Sequence, residues 1–313
     1  MALEIRPLGS RGPSVSVLAL GTNSFGTRMA DEEVPRVVGA ALDQGVTLFD
    51  TADIYGGGES ERLLGQALGA RRGEALVTTK FGMRRRGDDP ELARGDPAYV
   101  LASAEASLRR LGTDVIDVYL MHQPDPKTPI EETLGALQQL ISAGKVRFVG
   151  CSNFDAAGLV AAREAAKAQG LDGFVCSQDN YSLLERGAEE ELFPTLERLG
   201  LGLMAYFPLA QGLLSGKYRR GQPPPPGSRL GRGGGAPVLG DAQVFDRIER
   251  LRAFAKERGL SLLQVALGGL LAQPLVRTVV AGATRPEQVL ANAAACRWRP
   301  GPEELRQLEA ASR

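Results

Sequence analysis

Histidine is almost missing from this chain: among 313 residues there is one, His122. The three cysteines, Cys151, Cys176 and Cys296, are far apart and form no CxxC. A zinc site needs several nitrogen or thiolate ligands at close spacing, so neither a zinc centre nor a disulfide framework is expected. Unpaired thiols fit a reducing compartment. Net charge is also missing, because 37 basic residues balance 37 acidic ones. That balance gives no general affinity for nucleic acid or for an acidic membrane surface. No stretch approaches the ~18 apolar residues of a membrane span. The opening MALEIRPLGS holds no apolar core of signal-peptide length. The expectation is a soluble, cytoplasmic protein without a membrane or nucleic-acid partner.

What is present is ordinary globular composition, 43% hydrophobic and 24% charged. The length allows two average domains or one barrel. Residues 3–7 and 14–18 read as a hairpin around Gly9-Ser10-Arg11-Gly12-Pro13. A strand–helix unit then repeats. Strands are expected at 17–22, 47–52, 75–80, 115–122, 146–153, 174–180, 202–209 and 276–282. Helices are expected from Asp31 to Gly45, then at 59–69, 97–111, 129–143, 155–168, 185–199, 241–258, 261–273 and 286–296, with a tail helix from Pro302. Apolar strands alternating with helices mean a parallel sheet covered on both faces. Eight such units favour a (β/α)₈ TIM barrel, with an N-terminal β-hairpin and a long loop after the seventh strand. No composition shift marks a boundary, so residues 1–313 read as one domain. The low-complexity stretch 219–240 is too rich in proline and glycine for a tight connection and reads as a lid or a disordered insertion. The loops at 83–97 and 210–240 have no conformation legible in the sequence.

In a barrel, chemistry sits at the C-terminal ends of the strands. Those ends carry Asp50 and Tyr55, then Lys80, then His122. Separately, each has a bland reading: a cap, a packed ring, a surface lysine, a structural hydrogen-bonder. Together they converge on one mouth. A tyrosine has a reference pKa of about 10, and a nearby ammonium lowers it. Asp50 can pair with Lys80, and His122 can hydrogen-bond a carbonyl oxygen or the phenol. The set suits a tyrosine serving as general acid to an alkoxide forming on a carbonyl carbon. The side chains offer no hydride, which points to a nicotinamide.

These residues lie in segments spread over nearly the whole chain: LGT at 20–22, FDTADIYGGGESERLLGQAL, TTKFG at 78–82, DVYLMHQPD at 117–125, GKVRFVGCSNF at 144–154, QDNYSLLER at 178–186, AYFPLAQGLLSGKY at 205–218 and GATRPEQVLAN at 282–292. The chain so resembles the aldo-keto reductases. The resemblance implies an NADP-dependent reductase of aldehydes or ketones, working reversibly as an alcohol dehydrogenase on a small-molecule carbonyl substrate. It implies Tyr55 as the acid, Lys80 and Asp50 tuning it, and His122 orienting the substrate. It implies that Ser152, Asn153 and Gln178 hold the nicotinamide carboxamide and that Tyr206 stacks on the ring. Further cofactor contacts are implied along Gly21, Thr22 and Asp50, along Phe207, Pro208 and Leu209, and at Gly212 and Lys217.

The far end of the cofactor site has its own physical reading. Gly282-Ala283-Thr284-Arg285-Pro286 runs from the last strand into a helix with proline at its first position. A helix N-terminus attracts anions, and Arg285 adds a bidentate phosphate partner, which suits the 2′-phosphate of NADPH. Gly282 and Thr284 belong to the same turn, while Gln288 and Asn292, four apart, share a helix face. Candidate pocket walls are Phe25, Ile54, Phe81, Met83 and Phe154, each of which could equally be barrel packing. Two departures weaken the cofactor contacts: Phe207 stands where serine is common, and Asp179 and Ser182 interrupt a Q-x-x-Y-N run.

Other signals carry less. GRGGGA at 231–236 matches a dinucleotide fingerprint but follows no strand. Arg84-Arg85-Arg86 faces solvent or an anionic substrate. Glu59, Ser60 and Glu61 read as a helix start. Two rival readings remain, a non-catalytic nucleotide-sensing subunit of the same fold and a cofactor-free isomerase or lyase. Substrate, direction, and whether the protein is a monomer or homo-oligomer stay open.

Overall fold

The computed structural model describes residues 2–84, 87–232 and 240–313. Strands β1 (Ile5–Pro7) and β2 (Ser14–Ser16) pair antiparallel. Eight more close a parallel barrel: β3 (Leu18–Gly21), β4 (Leu48–Asp50), β5 (Leu76–Phe81), β6 (Ile116–Met121), β7 (Val146–Ser152), β8 (Cys176–Asn180), β9 (Gly202–Tyr206) and β10 (Val276–Gly282). The ring closes where β10 pairs with β3, Gly282 opposite Gly21. The helices among the described residues are α1 (Val34–Asp43), α2 (Glu59–Leu68), α3 (Pro97–Leu111), α4 (Ile130–Ser142), α5 (Ala156–Ala168), α6 (Leu192–Leu199), α7 (Ala242–Glu257), α8 (Leu262–Leu271), α9 (Pro286–Ala295) and α10 (Pro302–Ser312). This is the (β/α)₈ barrel with its hairpin that the alternating pattern predicts.

Strand periodicity sorts the side chains. Ala19, Leu48, Val118, Leu120, Met204 and Val280 point inward and fill the barrel. Their neighbours Phe49, Val77, Tyr119, Val149, Leu203 and Val279 point outward and join a larger core with the helices. Both faces are buried, so the strands read as continuous apolar runs. The hairpin plugs the N-terminal end, with Leu8 and Val15 packed into the inner cluster. Gly9 makes that plug possible: its φ is +83°, and a Cβ there would lie 2.1 Å from the Val175 carbonyl oxygen.

Helix ends follow their caps. Asp96 accepts the Ala98 and Tyr99 N–H groups to start α3, with Pro97 at the first helical position. Ser261 and Gln264 form a capping box on α8. Several expected elements are shorter, and two of them show the cause. The helix expected at 185–199 begins only at Leu192, because the Ser182 hydroxyl accepts the Leu184 and Glu185 N–H groups and folds that stretch into a turn. The strand expected to reach residue 209 stops at Tyr206, since Phe207 is left-handed at φ +51°. Of the motifs flagged above, Arg85 and Arg86 and most of GRGGGA lie outside the described residues. Among the described residues no helix is long and apolar enough to cross a membrane, and no cluster of His, Cys, Asp and Glu could hold a metal ion.

Candidate active site

Asp50 ends β4, and the register sets it opposite Thr78. Lys80, two residues further along β5, therefore points to the same inner face. Its Nζ donates to both Asp50 oxygens at 2.8 Å and to the Thr51 carbonyl at 2.7 Å, and the pair is buried. After β4 the chain turns through Gly56, Gly57 and Gly58, all left-handed at φ 58°, 69° and 97°. A Cβ on Gly58 would also lie 2.6 Å from Arg110 Cδ. Three residues without side chains permit this turn, which swings Tyr55 over the lysine, with Nζ 5.2 Å from the ring centroid. His122 directly follows β6, and its N–H donates to the Phe81 carbonyl at 2.8 Å. Its ring meets Tyr55 edge-on, with centroids 6.0 Å apart.

Burial dominates the electrostatics. Desolvation raises the Tyr55 pKa above 10 even though Lys80 pulls it down. The expectation of a lowered phenol is thus corrected: removal from water outweighs the ammonium. Burial would lower Lys80, but Asp50 and Tyr55 together hold its pKa above the ordinary value. Burial and then Lys80 lower His122 to about 3, so its imidazole is neutral. Among the described residues its buried Nδ1 has no hydrogen-bond partner.

Next to this cluster lies a polar ladder. Ser152 Oγ donates to the Gln178 carbonyl at 2.7 Å, and Gln178 Nε2 donates to Asp50 Oδ1 at 2.7 Å. Asn153 Nδ2 donates to the His122 carbonyl at 2.9 Å, and its Oδ1 accepts the Tyr206 hydroxyl at 2.8 Å. Asn153, Phe207, Ala210 and Gln211 are the non-glycine residues at positive φ among the described residues. All four lie in the loops after β7 and β9, and such strain gathers at functional sites.

These groups line one cavity of about 920 Å³ at the C-terminal mouth of the barrel. It runs from Tyr55 and His122 past Ser152, Asn153, Gln178 and Tyr206, along Phe207, Pro208 and Leu209, to Gly212 and Lys217. Its other wall is Gly21, Thr22, Gly282, Thr284, Arg285, Gln288 and Asn292. Asp50 is the one carboxylate among its described lining residues, and Lys80 neutralises it. Four cationic side chains line it as well: Arg28, Lys217, Arg229 and Arg285. An amide-rich inner end and a cationic outer end fit a nicotinamide dinucleotide, carboxamide inward and phosphates outward.

Of the expected pocket walls, Ile54 and Met83 line the cavity. Phe25, Phe81 and Phe154 do not. They are core residues, Phe81 packed on Tyr119 and Phe154 on Phe174. Strand parity explains Phe81, which follows inward-facing Lys80 and so points outward. Gln288 does not stand free, because its Oε1 accepts the Thr284 N–H at 2.7 Å. Glu61 is a buried structural acid, accepting from Thr79 at 2.6 Å and from Arg110 at 2.6 Å. The sequence reading missed Arg28 and the run Pro225 to Arg229, which lines the cavity from within the low-complexity loop. Arg229 stacks on Phe207, 4.7 Å from its ring centroid, and the Ser-Arg pair closing the proline run was the available signal.

The geometry defines a class, a closed (β/α)₈ barrel with its ionisable groups at one nucleotide-sized mouth. The sequence model described as Aldo/keto reductase family matches residues 17–313. "Uncharacterized oxidoreductase YrpG" of Bacillus subtilis (strain 168) is 35% identical over 301 residues, 92% of this chain and 89% of that one. "Probable voltage-gated potassium channel subunit beta" of Oryza sativa subsp. japonica is 33% identical over 299 residues, 93% of this chain and 90% of that one. A protein of the same name from Arabidopsis thaliana is 33% identical over 299 residues, with the same coverage. The chain belongs to the aldo/keto reductase family, oxidoreductases that use a nicotinamide cofactor.

Proposed function

We propose that this protein reduces the carbonyl of an aldehyde or ketone with NADPH, and oxidises the alcohol in reverse, with Tyr55 moving the proton. The observation that carries this reading is the buried Lys80–Asp50 pair set beneath Tyr55 at the cavity floor. When bound, the reduced nicotinamide supplies hydride to the carbonyl carbon. Tyr55 donates its phenolic proton to the carbonyl oxygen. Burial keeps that phenol protonated at neutral pH, and the phenolate left behind faces the Lys80 ammonium, which Asp50 holds charged. Neutral His122 offers a ring N–H to the same oxygen and orients it. Ser152, Asn153 and Gln178 would grip the carboxamide, with Tyr206 beside the ring. Lys217, Arg229 and Arg285 would take the phosphates, Arg285 favouring NADPH over NADH.

The test is cofactor consumption against aldehydes, ketoses, steroids and quinones, with NADH in parallel. Turnover on at least one carbonyl, lost in Tyr55→Phe, is the expected result. Near-normal turnover in a folded Tyr55→Phe protein would sink the mechanism.

A second reading has one observation in its favour, the plant relatives named as potassium-channel β subunits. In that reading the same cavity senses nucleotide for a partner. Tight NADPH binding with no turnover across the panel would favour it.

A further inference from the structure

Asp179 is a buried acid with no cation beside it among the described residues. It follows Gln178 on β8, so strand alternation turns it away from the cavity. Among the described residues no salt bridge reaches it. Its Oδ1 accepts the backbone N–H of Asn153 at 3.0 Å, and its Oδ2 accepts the Ser177 hydroxyl at 2.5 Å. The titratable groups that feel its charge are Cys151 of β7, Cys176 of its own strand and Tyr206 of β9. Burial raises the pKa of all three, so none supplies a compensating charge.

A charge in such a place costs free energy and calls for a reason. The reason lies in what Asn153 does. Asn153 is left-handed at φ +61°, and its amide joins three strands' ends. Nδ2 donates to the His122 carbonyl and to Ser152 Oγ, while Oδ1 accepts from Tyr206. Rotating the Asn153 backbone would break all three contacts at once.

We propose that Asp179 is a positioning residue for the carboxamide end of the cavity: by accepting the Asn153 N–H it holds that residue left-handed, and so ties the His122 peptide to the Tyr206 ring. The proposal rests on the nicotinamide reading of that end. A carboxylate accepts a hydrogen bond more strongly than a carboxylic acid does. Burial raises the Asp179 carboxyl to about 6, so the tie weakens, and NADPH affinity falls, as pH drops through that value.

Two measurements test this. In the cofactor-free protein labelled with ¹⁵N-asparagine, the Asn153 amide, identified by its loss in Asn153→Ser, is followed with pH. Its shift should titrate with a midpoint near 6 in the wild type and stay flat in Asp179→Asn. NADPH affinity is then measured by fluorescence. Wild-type affinity should weaken about 10-fold between about pH 7.5 and about pH 5. Asp179→Asn, a neutral stand-in for the protonated acid, should bind NADPH about 10-fold more weakly at about pH 7.5, near the wild type's acid value, and lose most of the acid dependence. Asp179→Leu, if it folds, should bind more weakly at every pH. An Asn153 amide that does not titrate, or titrates equally in Asp179→Asn, overturns the proposal. If the amide titrates as expected but NADPH does not bind at any pH, the link from Asp179 to Asn153 stands and the nicotinamide reading falls.

Discussion

Two buried aspartates, one at each end of the barrel, face opposite tasks. At the N-terminal end, Asp117 accepts from Arg72 at 2.7 Å, from Arg147 at 2.6 Å and from the Val77 N–H at 2.9 Å. Both arginines reach solvent, so the charge is shared with water and every bond is internal to the scaffold. At the C-terminal end, Asp50 pairs with a lysine that has no solvent exposure. Its remaining neighbours, Gln178, Tyr55 and His122, line a cavity. The first arrangement is complete. Among the described residues, the second leaves an imidazole nitrogen without a protein partner beside a space that a ligand can enter. An ion pair marks a site only when unsatisfied groups stand next to it.

Substitutions can break or sharpen that contrast. The largest effect is expected for Tyr55→Phe, a loss of about 10³-fold in kcat/KM for carbonyl reduction with NADPH affinity kept within about threefold, read by steady-state kinetics and fluorescence titration. Asp50→Asn strands a fully buried ammonium and should cost about 3–5 kcal/mol in urea unfolding. Asp117→Asn leaves its arginines solvated and should cost about 1–2 kcal/mol in the same assay. Equal losses at the two ends would erase the distinction.

Asp179 gives a third, intermediate case with the opposite sign. Its folded carboxyl lies near 6, above the 3.8 of a free aspartate, so the folded state holds the proton more tightly than the unfolded one. Stability is therefore lost as pH rises through that window. Asp179→Asn should gain up to about 3 kcal/mol at about pH 8 and little at about pH 4, measured by thermal melts at both. A smaller effect is expected at the cavity's outer end. Arg285→Ala should weaken NADPH about 10-fold and leave NADH unchanged, by parallel titrations. Because His122 is neutral down to about 3 and the Tyr55 phenol stays above its ordinary range, kcat/KM for reduction should be flat from about pH 7 to about pH 9.

Much of this was legible in the chain because barrel strands advertise themselves. Apolar runs such as ALVTTK and VIDVYLMH, each followed by a capped amphipathic helix, leave few alternatives to a closed parallel sheet. Period-two alternation then places Asp50 and Lys80 on one face from the register alone. The same rule, applied to Phe81, would have put it in the core. Phe25 and Phe154 sit in loops after strands, where no periodicity says which way a ring turns, and only packing against Phe174 and the surrounding core decides. The loop at 225–229 reads as low complexity because proline and glycine carry no pattern, yet it delivers Arg229 to the cavity.

Local chemistry written in the sequence determined the strand and helix order, the hairpin plug, the glycine turn under Tyr55 and the residue types at the mouth. These depend on near-neighbour sterics and on the apolar period, which act within a few residues. Only the tertiary structure decided the protonation states and the wiring. That Tyr55 is held protonated, that Gln178 bonds Asp50, that Asn153 bridges His122 and Tyr206, and that Asp179 stands behind it all follow from burial and from contacts between distant strands. Burial and close approach are properties of the assembled barrel, and no single segment contains them.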